Sequence, residues 1–137
     1  MRYMTIVSGP ENFGAAGPPP AELYEAVGKL IEDATKSGKL ESFGGLKPTA
    51  EGTRFRVAKG KMLTTDGPFS ESKEVIGGFS IYNFASKDEA LEEVRKFSEL
   101  HARLWPKWQG TIELRPMYGE QDDVAATQAE ASDALGA

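Results

Sequence analysis

Residues 64–79 read TTDGPFSESKEVIGGF, and the nine from 66 to 74 include Asp66, Phe69, Glu71, Lys73 and Glu74. A carboxylate at such a corner works as a general base or ligand anchor when it lies beside a pocket. Pro68 has no N–H, so Asp66 cannot close the usual Asx turn onto the amide two residues ahead. Its carboxylate must turn to the amide of Phe69 or Ser70, to a cation such as Lys73, to solvent or to a ligand. The plainer account is a corner pinned by Phe69 in the core, with solvated charges worth roughly 0–1 kcal/mol per pair. His101 is the only histidine and lies in SELHARLWPKW. It is the candidate acid or base to set against Asp66 if the fold joins these segments; otherwise it serves a helix C-terminus.

Glu113 and Arg115 share one face of a strand opposite Ile112 and Leu114. Turned into an enclosed space they must pair and would line a site; turned to solvent they are a routine pair. Lys73 or Arg115 could hold an anionic substrate, with Phe69 as an apolar wall. One histidine and no cysteine leave no multi-histidine metal site, no thiolate and no disulfide. A hard cation on Asp66, Glu71 and Glu74 is conceivable, yet no cage-like spacing supports it. No metal or cofactor is therefore expected. Trp105 and Trp108, interleaved with Arg103 and Lys107, fit the packing of indoles over one end of the fold around Pro106, or the wall of a pocket.

The chain of 137 residues suits one domain with a real core. Its formal charge is -5, and from Gly119 onward there are five acids and no Lys or Arg. Residues 1–118 are then formally neutral, which argues against nucleic acid as a partner, since that needs a positive footprint. Residues 119–137 read as an acidic tail, frayed from Asp122, with too few apolar groups to offset its ordering entropy. No run reaches membrane-spanning length, and the start is too short and too soon broken by Gly9–Pro10 for a signal peptide. A cytoplasmic location is the expectation.

Several elements must position these residues. RYMTIV (2–7) reads as a strand, and three prolines at 18–20 lead into a helix. Its apolar stripe is Leu23, Val27, Leu30, Ile31 and Ala34, and Gly38 is placed to cap its C-terminus. KLESFGGLKP suggests a short strand; TRFRVA and KMLTT suggest a hairpin about Lys59–Gly60, its register unsettled. GGFSIYNF reads as a strand with Phe79 and Ile81 on one face and Tyr82 and Phe84 on the other, so both faces need cover. Ser86 and Glu89 spell a capping box before a helix with Ala90, Leu91, Val94, Phe97 and Leu100 as its stripe. GTIELRPMY is the last strand. The order predicts an α+β, ferredoxin-like split βαβ sandwich, with an antiparallel sheet and two helices on one face. Two helices cover one face only, so a homodimer is expected to cover the other.

TTDGPFSESKEVIGGF resembles the DGPF-domain branch of the YCII-related family. MRYM at the start, GGLKP at 44–48, SKDEALEEV at 86–94 and IELRP at 112–116 match in the same order. The resemblance implies a dimeric α+β barrel over residues 1–118 and places Asp66 as the acid of a His–Asp pair proposed in the wider family. The family histidine near the first helix has no counterpart in PPPAELYEA. Family members often lie beside extracytoplasmic-function sigma factors, which implies a regulatory alternative. Three classes stay open: a small-molecule enzyme with a pocket between sheet and helices, a non-catalytic ligand-binding or regulatory protein, and a structural dimer module.

Overall fold

In the computed structural model, residues 1–69 and 73–119 are described. Glu71 and the acidic segment from Glu120 lie outside them. The elements are β1 (Arg2–Gly9), α1 (Ala21–Lys36), β2 (Leu40–Gly45), β3 (Thr53–Ala58), β4 (Lys61–Asp66), β5 (Val75–Asn83), α2 (Lys87–Leu104) and β6 (Thr111–Pro116). Strands β2, β5, β1 and β6 lie side by side in that order, every neighbouring pair antiparallel. With the β3–β4 hairpin set aside, this is the split βαβ arrangement that the element order predicts.

Local chemistry explains the boundaries. The carbonyl of Pro20 takes the N–H groups of Leu23 and Tyr24 at 3.0 and 3.2 Å, so α1 starts without a side-chain cap. Its C-terminus closes as a Schellman motif: Lys39 N–H reaches the Ala34 carbonyl at 3.0 Å and Gly38 N–H the Thr35 carbonyl at 3.1 Å. Gly38 has φ 78°, a conformation glycine adopts without strain. At α2 the Ser86 hydroxyl accepts from Glu89 N–H at 3.1 Å, while the Glu89 carboxylate accepts from Ala85 N–H at 2.9 Å. The same carboxylate meets Lys39 Nζ at 2.6 Å and so ties α2 to the strand after α1. That hydrogen bond holds the Glu89 carboxyl below its ordinary range and raises the Lys39 amine.

Alternation along the strands fixes two faces. Tyr3, Thr5 and Val7 of β1 point toward the helices, beside Tyr82, Ser80 and Gly78 of β5 and Leu114 and Ile112 of β6. Met4 and Ile6 point the other way with Ile81, Phe79, Arg115 and Glu113. One extra residue, Gly77, sits in β5 where the pairing with Val7 and Ser8 shifts, so the glycine pair lies inside the strand as a bulge. The core proper is Tyr3, Phe84 and Ala90, with Tyr82 and Leu114 packed against it. Tyr82 and Phe84 stack with centroids 5.0 Å apart. Leu91, expected in the α2 stripe, is 45% exposed. Ala90 beside it is fully buried, and one helical step turns a side chain by about 100°.

The hairpin needs no slip in register. Phe55 pairs with Thr64 and Val57 with Met62 through to the two-residue turn. Lys59 and Gly60 both have positive φ, 51° and 73°, as the tight turn of a right-twisted hairpin requires.

Candidate functional site

The stripe of α1 is only partly buried: Leu23 is covered, whereas Val27, Leu30, Ile31 and Ala34 are half-exposed. They face Val94 and Phe97 of α2 across the sheet, and together these side chains leave a cavity of about 170 Å³. Its walls are mostly apolar, Phe43 and Phe97 among them, but Thr5, Ser80, Tyr82 and Glu93 also line it. Thr5 is 2% exposed, and its hydroxyl has no hydrogen-bond partner among the described residues. Burial pushes the Tyr82 phenol above its ordinary value, offset by a Ser80 hydrogen bond and aided by the Glu93 charge. A few polar groups in an apolar hollow are how small-molecule sites are built.

A larger cleft of about 410 Å³ adjoins this cavity, for Val7 and Gly78 line both. It lies where β1 ends and β5 begins, beneath the end of α2. His101, Trp105, Trp108, Phe13, Glu11 and Lys47 are in its wall. His101 Nδ1 lies 2.9 Å from the Phe97 carbonyl. A carbonyl only accepts, so Nδ1 carries the proton and Nε2 keeps a lone pair. Burial pushes the His101 pKa below its ordinary value, partly countered by that carbonyl. The imidazole is thus held neutral and oriented, which suits a general base at neutral pH.

Aromatic rings fix the histidine. Phe97 lies 4.6 Å from it and Trp108 5.4 Å, centroid to centroid. The two indoles stack at 5.3 Å and 7°, and Phe13 meets Trp105 edge-on at 5.4 Å. Phe13 and Asn12 hold left-handed backbone, φ 67° and 53°, which is uncommon for residues with a side chain, less so for Asn than for Phe. Trp105 Nε1 is buried without a partner among the described residues.

The DGPF corner lies on the far side of Thr49 from this cleft. The Thr49 hydroxyl donates to the Glu11 carboxylate and accepts from Phe69 N–H at 3.3 Å. Gly67 abuts the Thr49 carbonyl so closely that a Cβ there would come within 1.6 Å of its oxygen. The Gly67–Pro68 peptide is cis. Asp66 is exposed at the end of β4, and its Oδ1 accepts from the Thr53 hydroxyl at 3.2 Å. Phe69 is buried under the Arg54 guanidinium, 3.8 Å from the ring centroid, and lines a shallower cleft beside β5. His101 and Phe69 line neighbouring clefts that share Leu46, Lys47 and Pro48. The residues lining the cavity and these two clefts do not include Asp66.

Lys73 is exposed ahead of β5. Glu113 and Arg115 face away from the helices and pair at 3.4 Å with half or more of each side chain in solvent. The sequence therefore names one residue of the cleft wall, His101, and two more, Trp105 and Trp108, as pocket-wall candidates. It passes over Thr5, Ser80 and Glu93. The available signal was polar residues at inward positions of a central strand, Thr5 opposite Ser80, which an apolar core does not require.

No helix among the described residues is long and apolar enough to cross a membrane. An uncharacterized protein of Rhizobium meliloti (strain 1021) is 35% identical over 82 residues, which are 60% of this chain and 62% of that protein's length. The profile of the YCII-related domain matches residues 1–116, from the first residue of the chain through the end of β6, and takes in every element that builds the cavity and the cleft. The chain belongs to the YCII-related domain family.

Proposed function

We propose that this protein binds a small amphipathic molecule between sheet and helices and acts on it with His101 as base. The observation that supports this is the union of two spaces. An apolar cavity containing Thr5, Ser80, Tyr82 and Glu93 meets, at Val7 and Gly78, a cleft containing an oriented neutral imidazole. The apolar part of the ligand enters the cavity, and its reacting polar end stays in the cleft near His101 and Lys47. A carbon acid or a hydroxyl activated by proton abstraction fits a lone base of this kind. Phe69 and Asp66 hold the corner that fixes Thr49, and through it Glu11 in the cleft wall. Lys73, Glu113 and Arg115 stand outside the cavity in this reading.

The protein works as a homodimer. Met4, Ile6, Phe79 and Ile81 make an apolar centre on the sheet face that no helix among the described residues covers, and a second copy is the simplest cover.

Amide and imidazole chemical shifts measured during titration with alkyl carboxylates and alkylphenols of graded chain length test the ligand reading. Shifts should gather on Thr5, Ser80, Val94 and His101, and affinity should grow with chain length until the cavity is full. His101→Gln should retain binding while abolishing any turnover. Saturable shifts confined to other surfaces, or none at millimolar probe, would remove the site.

A further inference from the structure

The cavity beside Thr5 has a second neighbour. Leu30 and Ala34 of α1, Tyr82 of β5 and Glu93 of α2 line both the cavity and a further cleft of about 290 Å³. This junction lies well apart from the one at Val7 and Gly78. Tyr82 stands four residues beyond Gly78 on β5, about 13 Å at the rise of a strand. Glu93 stands eight residues before His101 on α2, about 12 Å at the rise of a helix. The cavity therefore meets a cleft at each of two separated junctions.

The lining changes character along this line. Glu11, Lys47 and His101 are in the wall of the first cleft. Val27, Ile31, Val94 and Phe97 are in the wall of the cavity. The further cleft adds Asp33, Ser37, Lys39 and Lys96. On α1, Leu30 and Ala34 border both spaces, and Asp33 and Ser37 continue the same helical face. A small side chain, Ala34, thus stands at the seam, and the stripe it belongs to stays half-exposed although it faces α2. The succession is polar, apolar, polar.

Pairing selects what the further cleft takes. Lys39 lies 2.6 Å from Glu89 and Lys96 3.4 Å from Glu93, so each ammonium already has a carboxylate. Among the residues lining the cleft, Asp33 and Glu93 cancel Lys39 and Lys96 formally. An anion there would meet two carboxylates, and a cation two ammonium groups. A hydroxyl meets neither repulsion, and it both donates and accepts, as the side chains of Ser37 and Tyr82 do.

We propose that the two clefts and the cavity form one passage, and that its ligand is a two-ended aliphatic molecule. The reacting polar end lies beside His101, the apolar middle fills the cavity, and an uncharged hydroxyl end lies in the cleft bordered by Ser37, Tyr82 and Glu93. The inference rests on the ligand reading above and adds the second end.

Amide chemical shifts of the full-length protein, titrated with alkyl carboxylates and with ω-hydroxyalkyl carboxylates of equal length, test it. Once the chain spans both junctions, the hydroxyl-ended member should bind about threefold or more tightly than its methyl-ended counterpart. New shifts should then appear at Ser37 and Lys39. Ala34→Phe, which fills the seam, should remove both the gain and those shifts, and Glu93→Leu should remove the gain. The readout is a ratio of two affinities in one protein, so partial unfolding of a variant cancels. No gain at any length, with shifts that stop at Thr5 and Val94, overturns the passage and leaves a one-ended ligand standing. A gain confined to short members, with shifts at Thr5 and none at Ser37, overturns it too, because the hydroxyl then lies inside the cavity. Shifts at Ser37 and Lys39 without any at Thr5 mean that the further cleft binds alone, which also overturns it. If neither series binds at millimolar concentration, both readings fall.

Discussion

The space between the sheet and the two helices is filled at one end and left hollow at the other. Where β1 begins, Tyr3, Phe84 and Ala90 close on one another, with rings 6.0 Å apart and Leu114 against them. Two residues further along the same strand, Thr5 is just as buried, yet its hydroxyl has no partner and the adjoining wall encloses about 170 Å³ of space. The layers are the same; the side chains differ. At the first end Tyr3, Phe84 and Ala90 meet; at the second the side chains of Val27, Ala34, Val94 and Phe97 leave a gap between them. A fold secured at one end can leave the other open, and the polar groups stranded there are those that a ligand of the proposed kind would satisfy.

Matched truncations should separate the two ends most sharply. Phe84→Ala, at 3% exposure, should lower unfolding free energy by about 3–5 kcal/mol in a urea titration. Val27→Ala, on the wall of the hollow, should cost about 1 kcal/mol or less, because its surroundings are already open. Equal losses at the two sites would erase the contrast. A smaller effect of opposite sign is expected at the buried hydroxyl. Thr5→Val keeps the shape and removes an unpaired polar group, so stability should rise by about 1 kcal/mol while ligand affinity falls. A loss of stability would mean that Thr5 is satisfied within the chain.

The smallest effect is one of pH. The folded His101 pKa lies below the unfolded reference of 6.5. Above that reference both states are neutral and the residue adds no pH dependence. As pH falls below it, the unfolded chain takes up a proton that the folded chain resists, and stability declines until the folded pKa is passed. His101→Gln should therefore flatten the stability profile between pH of about 7 and 5 relative to the parent. An unchanged slope would place the histidine in open solvent.

Much of the scaffold was legible from local patterns. The Ser86–Glu89 box, the Gly38 cap and the Lys59–Gly60 turn each depend on a few neighbouring residues, and each forms as read. The two faces of β5 also followed from alternation, because a side chain's direction in a strand depends only on its parity. Leu91 escaped the pattern since a helical stripe is broad and packing decides its edge. A pocket between sheet and helices was one of the open readings, but its walls were not legible. Its walls come from β1, α1, β2, β5 and α2, and whether Val27 and Val94 meet or miss depends on the separation of the layers, which no local pattern sets. The link from Phe69 through Thr49 to Glu11 joins residues 38 and 20 positions apart, and neither spacing signals a contact.

By itself the sequence determined the order of elements, their caps and turns, the parity of each strand and the apolar residues on both faces of β5. These are short-range consequences of backbone preference and of apolar side chains avoiding water. Only the tertiary structure decided that His101 and Glu11 share a cleft, that the cleft opens into a hollow beside Thr5, and that the basic hairpin stands clear of its own sheet. Those outcomes depend on distances between segments remote in sequence, fixed only when close-packed layers settle how far apart they stand.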